Sequence, residues 1–266
     1  MAYWDQPQIM SGYINQPQNM QGKPKVAICI LHTGSVSIKW AMRTALLFSY
    51  LSSKNIFFSY LLSSNQPYDN SREMLTRSAL QGGAEYIFHY DTDCLIPLNS
   101  IELMIEWAEK YNLPVISGLY WAKKPGEPMP AAWFKTKEYP EENKIDFAPL
   151  DIKKSLEKNP GKQPIIPVDV TGAGCLLVKR EVFEKLDKSD PDSPYFLWGL
   201  GRNYKCPKCG SKGPLPQMSE DFYFCTRCVK ELNIKPHLAT AIRCDHLAEV
   251  KRRGEDGVFE LHLGMV

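Results

Sequence analysis

The chain has 266 residues, 44% of them apolar and 23% charged, with a formal net charge of +2. That length suits one large domain or a domain with a small appendage. The near-neutral charge argues against a broad nucleic-acid surface. There is no apolar run long enough to span a bilayer, and the N-terminus lacks the basic-then-apolar pattern of an export signal. A cytoplasmic protein is the expectation.

Residues 1–24 are rich in Gln, Pro, Asn and Met and read as a flexible tail, with residues 25–266 as one domain. Lys25–Leu31 is continuously apolar, as in a strand buried on both faces of a parallel sheet. A turn at His32–Ser35 leads to a predicted helix over about 37–52. A second strand is expected over 55–61. Ser71 is the expected cap of a helix running to Gln81, where Gly82-Gly83 ends it. Tyr86–Tyr90 is a third strand, closed by Asp91-Thr92-Asp93. Pro97 and Asn99 open a helix to about Tyr111, and 114–120 is a fourth strand. Strand and helix alternate throughout this half, the pattern of a doubly wound α/β sheet. Such sheets bind ligands at the carboxyl ends of their strands, where Asp91 and Asp93 fall.

After Trp121 the chain makes a proline- and charge-rich excursion up to residue 164. A strand–turn–strand pattern returns over 167–178, followed by a short helix over 179–186 and an aromatic loop over 190–201. Ser219 is placed to cap a helix whose first turn holds Glu220 and Asp221, a favourable position for acids. A last strand over 238–244, a polar turn and a short 258–263 segment finish the chain.

Asp91 and Asp93 are hard oxygen ligands suited to Mg²⁺ or Mn²⁺. Two solvated acids at a turn would look the same. Cys206, Cys209, Cys225 and Cys228 form two Cys-x-x-Cys pairs in a Cys-rich insertion with its adjoining helix over 199–230. Four thiolates at this spacing suit a structural Zn²⁺, and would pin the insertion onto the helix carrying Asp221. The rival reading makes Cys225 a core residue. The aromatics Tyr120, Trp121, Trp133, Tyr195, Phe196 and Trp198 are available to stack on a sugar or to pack an irregular region. His89 reads as a core histidine.

Arg72 to Pro97, with Gly83-Ala-Glu-Tyr86 leading into a strand and Asp91-Thr-Asp93 after it, resembles the nucleotide-binding half of GT-A fold glycosyltransferases. The likeness is to small viral and prokaryotic members related to glycosyltransferase family 2. Asp169–Phe183 looks like the family's acceptor-side segment and Ser219-Glu-Asp-Phe-Tyr-Phe-Cys225 like its Glu-Asp motif. The resemblance implies a GT-A α/β fold and metal-dependent, inverting transfer of a sugar from a nucleotide-diphosphate donor to a hydroxyl on a carbohydrate, lipid or protein.

By that likeness Asp221 is the base and Glu220 orients the acceptor. Asp93 and His246 hold Mn²⁺ or Mg²⁺, with Asp91 as an outer or ribose contact. His32, Thr33, Arg72, Arg77 and Thr92 line the donor. Trp121, Thr171, Gly172 and Trp198 face the acceptor. Glu73 stands where the family often has asparagine, which makes Arg77 a substitute for Arg72. The rivals are a sugar-nucleotide nucleotidyltransferase, which the lack of a Gly-rich basic loop after the first strand disfavours, and a zinc-ribbon module binding nucleic acid or protein.

Overall fold

The computed structural model describes residues 8–13, 25–32, 36–64, 66–122, 129–139, 144–157, 165–199, 203–205, 212–214, 218–251 and 258–263. Six helices are named α1 (Ile38–Ser53), α2 (Tyr68–Gln81), α3 (Ser100–Lys110), α4 (Ile152–Glu157), α5 (Arg180–Ser189) and α6 (Glu220–Leu232). The central sheet has eight strands. Their order is Gln8–Tyr13, Phe58–Ser64, Val26–His32, Tyr86–Asp91, Cys175–Lys179, Val115–Leu119, His237–Arg243 and Ile165–Pro167.

The sheet is mixed. Val26–His32 runs parallel to both its neighbours, and His237–Arg243 runs parallel to Val115–Leu119. Cys175–Lys179 lies antiparallel between Tyr86–Asp91 and Val115–Leu119. The doubly wound order therefore holds for the first half, and a reversed strand is inserted beside Asp91.

Both faces of the sheet are covered, which explains the apolar runs. Side chains alternate between faces along a strand. Val26, Ile28 and Ile30 join one cluster with Trp40, Leu47 and Leu51 of α1 and Ile101, Met104 and Ile105 of α3. Ala27, Cys29 and Leu31 join the other with Leu75 of α2, Phe183 of α5 and Phe224 of α6. A third, smaller cluster lies under α4.

Several boundaries differ from expectation. Asn55, Asn112 and Asn233 have φ near +55° just past α1, α3 and α6. Asparagine tolerates this left-handed helix stop, and the one at Asn55 moves the second strand to 58–64. α2 starts one turn early, after Pro67. Ser71 is therefore inside it and buried, its hydroxyl 3.0 Å from that of Ser63. Within the expected tail, Gln8–Tyr13 forms a strand antiparallel to Phe58–Ser64, which supplies an open edge.

The expected polar turn after residue 244 is instead a strand, Asp245–Lys251, paired with Val258–Leu263 on one side and Cys94–Leu95 on the other. Its register sets His246 opposite Cys94. The end of the chain is thereby joined to the segment that follows Asp93.

Candidate functional site

The chain leaves Val26–His32, forms Phe58–Ser64 on one side, and returns on the other side as Tyr86–Asp91. This is a topological switch, and the crevice at the carboxyl ends of such strands receives ligands. Leu31 pairs with Asp91, so His32 stands at the mouth of that crevice, half-buried. Thr33 lies outside the described residues.

Arg72 is the hub. It projects from the second turn of α2 and is only 2% exposed. Its Nη2 donates to both oxygens of Asp91 at 3.0 Å. Its Nε donates to Glu220 Oε1 at 3.2 Å, and Nη1 to the Ala173 carbonyl at 3.2 Å. One guanidinium thus fastens the strand-end acid, the Gly-rich turn and the start of α6. Burial works against the charge on Arg72, but the carboxylates of Asp91, Glu220 and Asp221 outweigh it and hold its pKa above the usual value. Burial pushes the carboxyls of Asp91 and Glu220 up, and Arg72 opposes this at both. Glu220 Oε2 is buried without a hydrogen-bond partner.

Arg77 does not substitute for Arg72. Five residues further along α2 it points elsewhere, with Nε 2.6 Å from Glu73 Oε1 and the guanidinium 4.6 Å above the Tyr195 ring. Glu73 also accepts from the Tyr195 and Phe196 amides, at 2.7 and 3.2 Å. The departure from asparagine at this position clamps the aromatic loop rather than displacing Arg72.

Asp221 opens α6 beside Glu220. Its Oδ1 accepts from the Ser219 hydroxyl and, at 2.9 Å, from the Phe222 amide. Burial raises its pKa; the Ser219 hydroxyl and the Arg72 charge pull the other way. A carboxylate held this way is a stronger base than a solvated one.

On the other side of Asp91, His246 Nε2 lies 3.5 Å from Asp93 Oδ1. His246 Nδ1 is 2.6 Å from the Trp121 carbonyl, and its ring meets Tyr120 edge-on. A carbonyl only accepts, so Nδ1 carries the proton. Nε2 thus faces a carboxylate oxygen, a nitrogen and an oxygen donor side by side that a shared divalent cation would suit. Asp91, Glu220 and Asp221 crowd one guanidinium while Asp93 adds its charge beside Asp91, and this excess of negative charge also fits a divalent ion. Asp93 and His246 are two ligands. Among the described residues no group of three or more His, Cys, Asp or Glu side chains is placed to hold a metal.

The Gly-rich turn fills the floor of the site. The Gly174 amide donates to the Tyr120 hydroxyl at 3.0 Å, and its carbonyl accepts from the Asp91 amide. A Cβ on Gly174 would sit 3.1 Å from Asp91 Oδ2, and one on Gly172 would meet the Tyr120 hydroxyl at 2.0 Å. Thr171, expected at the acceptor, is fully buried with its hydroxyl on the Ala131 carbonyl, so its side chain packs the floor. Gly172 is buried with it. Thr92 is half-buried in the turn between Asp91 and Asp93.

Trp121 contributes its carbonyl to His246. Trp198 is exposed, its amide bound to Asp69 Oδ2 at 3.0 Å and its ring 6.5 Å from Tyr68. Tyr120, Tyr195 and Phe196 are packed inside, and His89 is a core histidine with Nε2 3.3 Å from Thr76 Oγ1.

Of the four cysteines expected to hold zinc, two lie among the described residues. Cys225 and Cys228 are fully buried in the apolar cluster of Phe183, Phe196 and Phe224. Cys225 Sγ donates to the Thr171 carbonyl at 3.6 Å, and burial pushes both thiols up. Cys206 and Cys209 lie outside the described residues.

Two contributors escaped sequence reasoning, Trp40 and the Ala173 carbonyl. Trp40 Nε1 donates to the Asp91 carbonyl at 3.0 Å. Tyr120 and the Ala173 carbonyl also belong to the site. Only Tyr120 and the Val-Thr-Gly-Ala-Gly run gave a signal, as a strand end and a tight turn.

No family model and no curated protein matches the chain. Solved structures similar to it include A197 from STIV, at 16% identity and TM-score 0.49 over 88% of this chain and 100% of that one. GalNAc-T7 with UDP, GalNAc and Mn²⁺ is similar at 12% identity and TM-score 0.47, over 85% of this chain but only 44% of that one. A glycosyltransferase involved in glycosylation of the major capsid of PBCV-1 is similar at 14% identity and TM-score 0.31, over 60% and 63%.

Proposed function

We propose that the chain transfers a sugar from a nucleotide-diphosphate donor to a hydroxyl acceptor, with inversion. The observation that carries this reading is the joining of two acidic pairs through Arg72 at the carboxyl end of the sheet, with His246 turned onto Asp93. One acidic wall suits the diphosphate and the other suits the acceptor.

Asp93 and His246 would hold Mn²⁺ or Mg²⁺, with phosphate oxygens and water completing the shell. When bound, such an ion offsets the charge that develops on the departing diphosphate. Arg72 keeps Asp91 and Glu220 in place and adds positive charge behind them. His32 and Thr92 border the crevice where the nucleoside fits. Asp221 takes the acceptor's proton, and its raised pKa serves that step. Glu220 Oε2, buried and unpartnered, fits a hydroxyl donor from the acceptor. Trp198 is available at the rim for stacking.

A panel of nucleotide sugars should raise the melting temperature in the presence of Mn²⁺ and undergo slow hydrolysis to nucleoside diphosphate. Asp221→Asn should cut that turnover by about a hundredfold or more while keeping the donor-induced melting shift. Turnover retained in this variant would remove Asp221 as the base.

A further inference from the structure

Ile38, Met42 and Leu46 are 72%, 62% and 54% exposed, and Val36 just before them is exposed too. Their spacing of four places them on one face of α1. Trp40, Thr44, Leu47 and Leu51 already fill the inner face. The result is an apolar ridge along the outside of a helix, which a water-facing surface does not need.

The charges within the helix have one sign. α1 contains Lys39 and Arg43 and no acid. Lys39 is exposed; Arg43 is half-buried, with Nη1 on the Ile96 carbonyl at 3.3 Å. Just past the other end, Lys54 meets Glu102 at 3.3 Å.

We infer that α1 lies on an anionic lipid bilayer, the ridge entering the acyl boundary and Lys39 and Arg43 meeting lipid phosphates. A convex ridge suits a fluid apolar surface rather than a shaped pocket. Four side chains offer a few hundred Å² at most, short of the about 800 Å² per partner that a stable protein interface buries. An apolar face bordered by basic residues is the pattern of helices that lie in a membrane interface. Because Trp40 binds the Asp91 carbonyl, the helix adjoins the candidate site, and adsorption would hold that site at the bilayer surface. The inference stands whether or not the chain transfers sugars.

The test is co-sedimentation of the full chain with vesicles of phosphatidylcholine alone, or containing about a third phosphatidylglycerol. The anionic vesicles should bind it more strongly, and salt should weaken that binding. Met42→Ser with Leu46→Ser should reduce binding about tenfold or more, and Lys39→Glu should reduce it on anionic vesicles specifically. Both changes are at the surface, and circular dichroism melting checks that each variant folds. A wild-type chain that stays unbound at low salt, or a double variant that binds as tightly, would overturn the proposal. So would a dimer, seen by sedimentation velocity, that the double variant dissolves, since a second copy would then be the occupant.

Discussion

Arg72→Ala should destabilise the fold by about 3–5 kcal/mol, because it strips the partner from two buried carboxylates at once. Arg72 and Glu220 are almost fully buried and Asp91 is mostly so. In the wild type, burial raises both carboxyl pKa values and the guanidinium opposes it. Without Arg72 the main opposition is lost, and both folded-state values rise further above the unfolded ones. A raised carboxyl pKa means that the folded chain holds protons that the unfolded chain releases. Its penalty is therefore full above the folded pKa and fades as pH falls toward the unfolded value. Melting curves of Arg72→Ala should show a deficit that is largest at neutral pH and shrinks in mild acid. A deficit independent of pH would mean that Arg72 contributes packing alone, and an unchanged melting temperature would mean that the network does not form.

Gly172→Ala should also be damaging, for a steric reason. The new methyl would lie 2.0 Å from the Tyr120 hydroxyl, 2.9 Å from its ring carbon and 3.4 Å from Ala131 Cβ. Tyr120 is buried and its hydroxyl accepts from the Gly174 amide, so it has little room to retreat. Overpacking of this kind costs about 1–3 kcal/mol, and here it also pushes on a residue that touches His246. Combining Gly172→Ala with Tyr120→Phe removes the nearest atom and should recover part of the loss in a thermal melt. No recovery would place the strain elsewhere.

The first half of the fold was legible because each element carried its own period. Continuous apolar runs marked strands covered on both faces, and polar-apolar spacing marked the helices. The strand-end position of Asp91 follows from that pattern, whereas Arg72 is singled out by the family resemblance. The reversed strand Cys175–Lys179 was visible as a strand, but nothing local showed that it inserts beside Tyr86–Asp91.

Asp245–Lys251 reads as a turn in the sequence because Asp, His and Glu break its apolar alternation, yet it is a strand. Its pairing with Cys94–Leu95 comes from far along the chain, where no window of sequence sees it. The same holds for Trp40 and the Ala173 carbonyl, whose contributions to the site are made by tertiary contact. Cys225 and Cys228 carry a double signal. Their spacing is a metal-ligand signal, yet three apart on a helix is also the spacing of two core residues.

The most direct test of the central claim is calorimetric titration of a nucleoside diphosphate with and without Mn²⁺, on the wild type and on Asp93→Asn and His246→Ala. The arrangement of Asp93 and His246 predicts that Mn²⁺ tightens binding about tenfold or more in the wild type and that each variant loses this gain while remaining folded. Binding that ignores Mn²⁺, or variants that keep its full effect, would contradict a metal-assisted diphosphate site at the end of this sheet.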